Sequence, residues 1–240
     1  MEKIQQLPTI SVVIPTLNEA KNLPYVLPFM PEMVSEIILV DGGSKDDTIQ
    51  VAKELRPDIR IIRQSGKGKG NALTEGFAAT TGEIIVMIDA DGSNDPREIP
   101  LFVDALMNGA DFAKGSRYTG DGGSEDFTWI RWLGNSGINL LANACFNVQF
   151  TDLCYGYNAF WRYCLHDLSI DCPGFEVETL MNIRASKANF EIKEIPSFEA
   201  DRLFGESKLK ALYDGWRILK VIVRERLTST TNIRPALSAS

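Results

Sequence analysis

Two carboxylates stand one residue apart at the end of an apolar run. Residues 84–88 are apolar throughout and predict a short buried strand, which Asp89, Asp91 and the turn-forming Gly92 follow. Unpaired carboxylates at a buried strand end repel each other, and a divalent cation would remove that repulsion. Carboxylate oxygens favour Mg²⁺ or Mn²⁺, which often also bind substrate phosphates. The alternative is a purely structural turn that caps a helix beginning at Pro96.

Composition and charge narrow the class of protein. The chain has 240 residues, of which 44% are hydrophobic, as expected for one globular domain with a sizeable core. Its net charge of −7 argues against a general nucleic-acid binder. The four cysteines form no CxxC pair, so we expect reduced thiols. No apolar leader or membrane-length run occurs, so we expect a cytoplasmic protein, with contact at the cytoplasmic face of a membrane left open.

The elements that position the carboxylates alternate between strand and helix. Apolar strands are predicted at residues 9–15, 36–40, 59–62 and 83–89, with helical segments between them. This order predicts an α/β fold with a mostly parallel sheet and helices on both faces. Ligands of such sheets bind at the carboxyl ends of the strands, where Asn18, Glu19 and Asp41 also fall. Three acidic positions at one edge favour a ligand and metal site.

The second half of the chain is less regular. Helices are predicted at residues 96–107, 129–146, 175–188 and 207–227, and strands at residues 111–115 and 190–198. Asn18 is predicted to cap a helix that begins at Glu19, and Ser207 to cap the last helix. We expect one domain over residues 1–227, with a nucleotide-binding half at about 9–115, an acceptor half at about 116–227, and a disordered tail at 228–240.

A glycine cluster precedes the helix at about residues 71–79. Gly66, Gly68 and Gly70 alternate with Lys67 and Lys69, which matches neither the dinucleotide-binding nor the Walker pattern. The glycine backbone and the two lysines could contact the ribose or phosphates of a nucleotide. A tight turn that leads into a helix explains the cluster equally well.

Basic residues concentrate near the C-terminus, against the overall charge. From Arg202 to Arg226 the chain has seven basic and three acidic residues. Arg202 and Lys208 flank the start of the last helix, which favours a phosphate site; a solvated helix face with ordinary ion pairs is the alternative. That helix also has an apolar stripe, which we expect to pack mostly on the core rather than on lipid: Leu209, Leu212, Trp216, Leu219 and Val223.

One helix of the second half has three asparagines in a row along its surface. Asn135, Asn139 and Asn143 are four residues apart, so they lie on one face of the predicted helix at residues 129–146. The simplest interpretation is a solvated face.

Several stretches together resemble family 2 glycosyltransferases of the GT-A fold. They are Val-Val-Ile-Pro-Thr-Leu-Asn-Glu at residues 12–19, Val-Asp-Gly-Gly-Ser-Lys-Asp-Asp-Thr at 40–48, Gly-Lys-Gly-Lys-Gly-Asn-Ala at 66–72 and Asp-Ala-Asp at 89–91. Gly-Ser-Arg-Tyr at residues 115–118 and Arg-x-x-Gly-Glu-Ser-Lys at 202–208 are similar to the dolichyl-phosphate mannose synthase and polyprenyl-phosphate glycosyltransferase branch. The resemblance covers about residues 9–226.

The resemblance implies a nucleotide-sugar donor and assigns residues to it. The base, ribose and sugar-diphosphate of the donor would contact Pro15, Asn18, Glu19, Asp41, Lys67, Gly70, Asp89, Ala90 and Asp91. Mg²⁺ or Mn²⁺ would be held by Asp89 and Asp91 on the diphosphate. The family often has Gln two residues after the second Asp, where this chain has Ser93.

The resemblance also assigns residues to the phosphates and to the acceptor. Donor or acceptor phosphates would meet Arg117, Arg131, Arg202 and Lys208. Glu176 and Glu178 lie where acceptor-side carboxylates are expected, and the sequence does not choose between them. Asp152 matches an acidic position before an aromatic-containing segment of the family.

The implied reaction transfers a hexose from UDP-glucose or GDP-mannose to a polyprenyl phosphate. The leaving nucleoside diphosphate gains negative charge, which a metal and Arg/Lys side chains would stabilise, and attack on the opposite face of the sugar gives inversion. Asp91 and Asp152 are the predicted catalytic residues. A hydroxyl acceptor would need a general base, for which Asp152 is our candidate. A lipid phosphate would need none, because its second pKa is about 6.

Other functions stay open at this stage. A glycosyltransferase of glycan or polysaccharide synthesis would use a hydroxyl acceptor. Residues 89–93 also resemble the nucleophile motif of haloacid-dehalogenase-type phosphotransferases, although that motif belongs on a first strand. A sugar-nucleotide pyrophosphorylase would need an Arg-containing, Gly-rich N-terminal loop, which is absent. A non-catalytic sugar-nucleotide-binding subunit at a membrane is the remaining alternative, and the oligomeric state is open.

Overall fold

A seven-stranded sheet forms the centre of the protein. The computed structural model describes residues 7–125, 129–206, 208 and 210–228, without the side chains of residues 130, 131 and 211. The strands of this sheet lie in the order β3-β2-β1-β4-β7-β5-β8. Their bounds are β1 Ile10–Thr16, β2 Glu36–Asp41, β3 Arg60–Arg63, β4 Ile84–Met87, β5 Phe112–Ser116, β7 Asn158–Trp161 and β8 Ile192–Pro196; β6 Gly123–Ser124 and β9 Phe198–Glu199 pair separately.

Helices cover both faces of the sheet. They are α1 Thr48–Leu55, α2 Lys69–Ala79, α3 Ile99–Met107, α4 Trp129–Phe146, α5 Leu165–Leu168, α6 Val177–Lys187 and α7 Ala211–Leu227. Alternate residues of β1 fill the two layers: Val12 and Ile14 pack on the face of α3, and Val13 packs on the face of α2 and α6. The predicted α/β fold with a mostly parallel sheet is confirmed.

One strand of the sheet, β7, has no counterpart among the predicted strands. β7 runs antiparallel to both of its neighbours, β4 and β5, and carries Asn158, Ala159 and Phe160 into the middle of the sheet. The sequence gives this strand little signal, because Asn158 is polar yet fully buried and the strand has only four residues. β7 places residues 152–157 beside the end of β4, which the parallel strands alone would not do.

The predicted helix after β1 is wrong. Pro24 and Pro28 restrict the chain to two single turns of 3-10 helix, Leu23–Tyr25 and Leu27–Phe29. Asn18 is therefore no helix cap: it adopts a φ of 57° and its Oδ1 accepts the backbone N–H of Lys45 at 2.7 Å. Short polar Asn tolerates this left-handed conformation better than most residues.

The C-terminal helix buries a different face from the predicted one. Its inward face carries Ile218, Val221 and Ile222, while Leu212 and Trp216 are exposed. Asp214 and Glu225 share the buried face, so the stripe chosen by hydropathy lies roughly opposite to the true one. Ser207, Leu209 and residues 229–240 lie outside the described residues; they are the predicted cap, one member of the predicted apolar stripe and all but the first residue of the predicted tail at 228–240. The division into two functional halves stays a prediction.

The asparagine row of α4 binds backbone instead of facing solvent. Asn143 donates to the carbonyl of Phe150 at 2.8 Å and accepts its N–H at 2.9 Å, and Asn139 accepts the N–H of Leu153 at 2.8 Å. Asn135 donates to Asp152 Oδ1 at 3.2 Å. The row therefore fixes residues 150–153, which have no strand or helix partner of their own, against α4.

Candidate active site

Parallel strands bring the predicted donor residues to one edge of the sheet. β1 pairs with β2 and with β4, so residues that follow these three strands meet at their carboxyl ends. Asp41 accepts the backbone N–H groups of Gly43 at 3.2 Å and Ser44 at 3.0 Å, which shapes the turn after β2. Glu19 is nearly buried beside this turn, whereas Asn18 is exposed.

Lys69, one of the two lysines of the glycine cluster, lies at this edge; it is absent from the donor residues that the resemblance assigns. Lys69 Nζ is 2.6 Å from Asp89 Oδ1 and 2.7 Å from Glu178 Oε1; we call these three side chains the Lys69 cluster. Burial lowers the pKa of Lys69, but the two carboxylate charges outweigh it and raise that pKa, so the ammonium stays charged. Lys69 is the first residue of α2, and its nearness to Asp89 follows only from the docking of that helix.

Space at the Lys69 cluster depends on three glycines. A Cβ on Gly156 would lie 2.8 Å from Lys69 Nζ and 3.2 Å from Asp89 Oδ2. A Cβ on Gly68 would meet the Pro173 carbonyl at 2.2 Å, and one on Gly70 the Cys172 carbonyl at 2.1 Å. The alternating glycines of residues 66–70 therefore allow α2 to approach residues 172–174, and that contact positions Lys69.

Asp91 is held by its own turn and by a basic residue from the C-terminal half. Asp91 Oδ1 accepts Ser93 N–H at 3.1 Å and Ser93 Oγ–H at 2.7 Å. Arg202 Nη1 lies 3.1 Å from Asp91 Oδ2, and its Nη2 pairs with Glu19 Oε1. Lys208 is 3.5 Å from the same Glu19 oxygen. Arg202 and Lys208 thus lie beside the carboxylates, as expected for groups that meet phosphates.

Hydrogen bonds hold the segment after β9, around Phe204, against the segment that follows β1. The backbone N–H of Phe204 donates to Asn22 Oδ1 at 3.0 Å, and Asn22 Nδ2 donates to the Phe204 carbonyl at 3.1 Å. Asn22 Nδ2 also donates to Glu19 Oε2 at 2.6 Å. These bonds keep Arg202 over the acidic residues.

The donor set fits a hard divalent cation. Asp89 retains 31% of its side-chain exposure and Asp91 is also partly open. Loss of hydration raises the pKa of Asp89, and the Asp91 charge raises it further against the opposing effect of Lys69. No set of three or more His, Cys, Asp or Glu side chains among the described residues is arranged to hold a metal. Two carboxylates fit Mg²⁺ or Mn²⁺ when substrate phosphate and water complete the shell.

Asp152 is enclosed in an ion pair, which argues against its predicted role as general base. The fully buried carboxylate accepts Arg117 Nε at 2.6 Å and Nη2 at 2.8 Å, and Arg117 Nη1 donates to Glu199 at 2.8 Å; these residues form the Arg117 cluster. Burial would raise the pKa of Asp152, but the hydrogen bonds from Arg117 and the charges of Lys114 and Arg117 lower it. The guanidinium of Arg117 is bonded to Asp152 and Glu199, so it has no free edge for the phosphate that we assigned to it.

Some of the remaining assigned residues lie at the Lys69 cluster, and others lie away from it. Glu178 lies in the Lys69 cluster, while Glu176 pairs with Arg217 Nη2 at 2.6 Å, so the structure separates two carboxylates that the sequence could not. Lys67 is exposed, in contrast to Lys69. Arg131 lies on α4, and its side chain is outside the described part of the structure. Pro15 lies near the end of β1, Ala90 follows β4 and Gly70 is the second residue of α2, and none of the three has an ionisable group.

Comparison with known proteins gives a family and two relatives. The model of "Glycosyl transferase family 2" matches residues 11–169. A polyprenol monophosphomannose synthase of Mycolicibacterium smegmatis is 34% identical over 211 residues, which cover 82% of this chain and 80% of that protein. A dolichol-phosphate mannosyltransferase of Pyrococcus furiosus is 31% identical over 210 residues, 84% of this chain, and this chain covers 59% of its length.

Solved structures share the architecture. Glucosyl-3-phosphoglycerate synthase from Mycobacterium tuberculosis with Mn²⁺, UDP and glucosyl-3-phosphoglycerate has a TM-score of 0.69 at 24% identity, covering 91% of this chain and 80% of that chain. The same enzyme with Mg²⁺ and UDP has a TM-score of 0.72 at 24% identity, covering 91% and 79%. These matches confirm the predicted GT-A fold.

The position of the acidic motif argues against the dehalogenase-type phosphotransferase alternative. Asp89 follows β4, the fourth strand along the chain, whereas the dehalogenase-type nucleophile follows a first strand.

Within the described residues, no helix has both the length and the apolar character needed to cross a bilayer.

Proposed function

Because this chain belongs to glycosyl transferase family 2, we propose that it transfers a hexose, mannose in the first instance, from a nucleotide sugar to a polyprenyl phosphate with inversion. Two relatives that each match over 80% of the chain are named for mannosyl transfer to polyprenol or dolichol phosphate. The observation that carries the proposal is that Asp89 pairs with Lys69, and Asp91 with Arg202, at the carboxyl ends of β1, β2 and β4.

The donor diphosphate would bind where cations already meet these carboxylates. Asp89 and Asp91 would hold Mg²⁺ or Mn²⁺, and the metal would supply positive charge to the departing diphosphate. Lys69, Arg202 and Lys208 lie around the same position and would bind the remaining phosphate oxygens. Asp41 and the turn that it organises would face the nucleoside.

The state of Asp152 supports a phosphate acceptor over a hydroxyl acceptor. A hydroxyl group must lose a proton to a base, and both oxygens of Asp152 are hydrogen-bonded to Arg117 in the interior. A phosphate monoester is largely dianionic near neutral pH, because its second pKa is about 6, and it needs cations to position it instead of a base.

A transfer assay tests the proposal. Purified protein with Mg²⁺ or Mn²⁺ is incubated with labelled GDP-mannose or UDP-glucose, with and without polyprenyl phosphate. We expect label from GDP-mannose in the organic phase only when the lipid is present, and none with Asp91→Ala. Label that reaches only a hydroxyl compound would reject the lipid-phosphate acceptor. Glu178, beside Asp89, would then be the carboxylate to test as the base.

A further inference from the structure

A buried asparagine closes the turn after β4, residues 89–94, which we call the Asp89 turn. The N–H of Ile88 still donates to a carbonyl of β1 at 3.2 Å, whereas the next N–H, that of Asp89, donates to Asn94 Oδ1 at 3.1 Å. Gly92 reverses the chain at a φ of 82°, and Asn94 is buried. The side chain of Asn94 therefore replaces the sheet as the partner of the Asp89 backbone.

Asn94 begins a series of buried hydrogen bonds that run in one direction. Its Nδ2 donates to Tyr155 Oη at 3.0 Å. Tyr155 Oη lies 2.9 Å from Ser197 Oγ, and Ser197 Oγ donates to Glu98 Oε2 at 2.5 Å. Because the Ser197 proton is used on Glu98, Tyr155 is the donor to Ser197. Burial raises the pKa of Tyr155, so its hydroxyl keeps the proton that this bond needs.

We infer that Asn94 and Tyr155 are positioning residues for the proposed metal site, because they hold the backbone of Asp89 in the orientation that directs its carboxylate. They act through that backbone and not on the ligand itself. The inference rests on the proposed function for the role of Asp89. Hydropathy and spacing give no signal for it, since 61 positions separate the two residues along the chain.

Backbone contacts also tie the Asp89 turn to the segment that carries Arg202. Asn94 pairs with Glu199 in an isolated antiparallel bridge, and the N–H of Ala200 donates to the neighbouring carbonyl of the turn at 2.9 Å. Arg202, two residues further on, lies 3.1 Å from a carboxylate of the same turn. A displaced Asn94 would therefore disturb both the Asp89 backbone and the position of Arg202.

Two buried tyrosines allow a matched test. Tyr155→Phe removes the hydroxyl that Asn94 contacts but keeps the ring, which lies 5.0 Å from the Arg117 guanidinium. Tyr157 is also buried, and its Oη donates to the Asp95 carbonyl at 3.0 Å, outside the Asp89 turn. Each substitution removes one buried hydroxyl, but only that of Tyr155 is connected to the backbone of the Asp89 turn.

Calorimetric titration of the full chain with GDP and with UDP, in the presence of Mn²⁺, tests the inference. For the nucleotide that the wild type binds, we expect Tyr155→Phe to raise the Kd roughly threefold to tenfold, as for the loss of one neutral hydrogen bond. Tyr157→Phe should leave this Kd unchanged, although urea unfolding should show a loss of stability in both variants. Asn94→Ala should raise the Kd at least as much as Tyr155→Phe. Since Tyr155 acts through Asn94, the double variant should bind no more weakly than Asn94→Ala.

The outcomes separate the positioning role from the proposed function. Equal Kd values for wild type and Tyr155→Phe would overturn the inference. An equal increase in Tyr155→Phe and Tyr157→Phe would also reject it, since that result indicates a general effect of the core. Additive effects of Asn94→Ala and Tyr155→Phe would reject the path through Asn94. The expected Kd values, in a protein that transfers no sugar to lipid, would support the positioning role and reject the proposed acceptor.

Discussion

The Lys69 cluster and the Arg117 cluster each join one cation to two carboxylates, but solvent reaches Asp89 of the first and does not reach Asp152 of the second. Asp89 of the first is 31% exposed, and Gly156 leaves space beside it. Asp152 of the second is fully buried, with both oxygens bonded to one guanidinium. Asp89 can thus exchange its partner for a ligand, whereas Asp152 is closed off as a structural tie, although the cation Lys69 is itself less exposed than Arg117.

The two cations differ in a way that suits these roles. Lysine presents a compact charge on a flexible stem, so Lys69 can turn from Asp89 to a phosphate oxygen. Arginine presents a planar fork that bonds a carboxylate at two points, as Arg117 does with Asp152. We expect substitutions in the Lys69 cluster to change activity and those in the Arg117 cluster to change stability.

Among variants of the two clusters, Asp89→Asn should have the largest effect on activity. The change removes one carboxylate charge from the proposed metal site, and we expect a loss of roughly 10²- to 10³-fold in kcat for sugar transfer. The fold should persist, because Asn has the same shape and the backbone bond from Asp89 N–H to Asn94 is kept. Asp104→Asn, at an exposed position of α3, is the control. Unchanged turnover in Asp89→Asn would remove this residue from the site.

Arg117→Met should have the largest effect on stability. It leaves Asp152 buried without its partner, which typically costs about 3–5 kcal/mol in the free energy of unfolding. Urea unfolding measures the loss, and Arg56→Met, which breaks an exposed pair with Asp58, should change it by less than about 1 kcal/mol. A stable Arg117→Met protein with a raised KM for the lipid would restore the phosphate-binding role implied by the resemblance.

Gly156→Ala should reduce activity by a smaller factor. Its Cβ would lie 2.8 Å from Lys69 Nζ and must displace that side chain. We expect a loss of about tenfold in kcat/KM, equivalent to one charge-assisted hydrogen bond. Gly134→Ala, on α4 with open space around it, should leave turnover unchanged and stabilise the helix by about 1 kcal/mol. Equal activities of the two variants would mean that the position of Lys69 is not critical.

The smallest expected effect concerns the pH dependence of the free energy of unfolding, which tests the buried state of Asp152 in the Arg117 cluster. The folded pKa of Asp152 is lowered, so its stabilising contribution is present above its unfolded value of 3.8 and is lost as the pH falls through the folded pKa. Without Arg117, the hydrogen bonds and the charge that hold this pKa down are lost and the Lys114 charge is left to oppose the effect of burial, so Asp152 gains a proton at a higher pH than in the wild type. The stability difference between wild type and Arg117→Met should therefore shrink as the pH falls towards and below 3.8. A constant difference would show that Asp152 is not the group involved.

Sequence patterns located the donor edge because its residues follow apolar strands. The parallel strands β1, β2 and β4 appear as continuous apolar runs, and their order fixes which ends meet. Asp41, Asp89 and Asp91 were found in this way. The helix predicted after β1 is wrong because Pro24 and Pro28 interrupt the segment that follows the cap signal at Asn18.

The sequence by itself therefore determined the α/β class, the family resemblance and the acidic edge of the sheet. Only the tertiary structure decided which charged residues are free to react. Lys69 lies beside Asp89 because α2 docks on residues 172–174, and Asp152 is enclosed because the asparagine row of α4 fixes residues 150–153. The first contact joins residues more than 80 positions apart, and the second lies on irregular backbone. Neither hydropathy nor local spacing records which long-range partner a charged side chain will find.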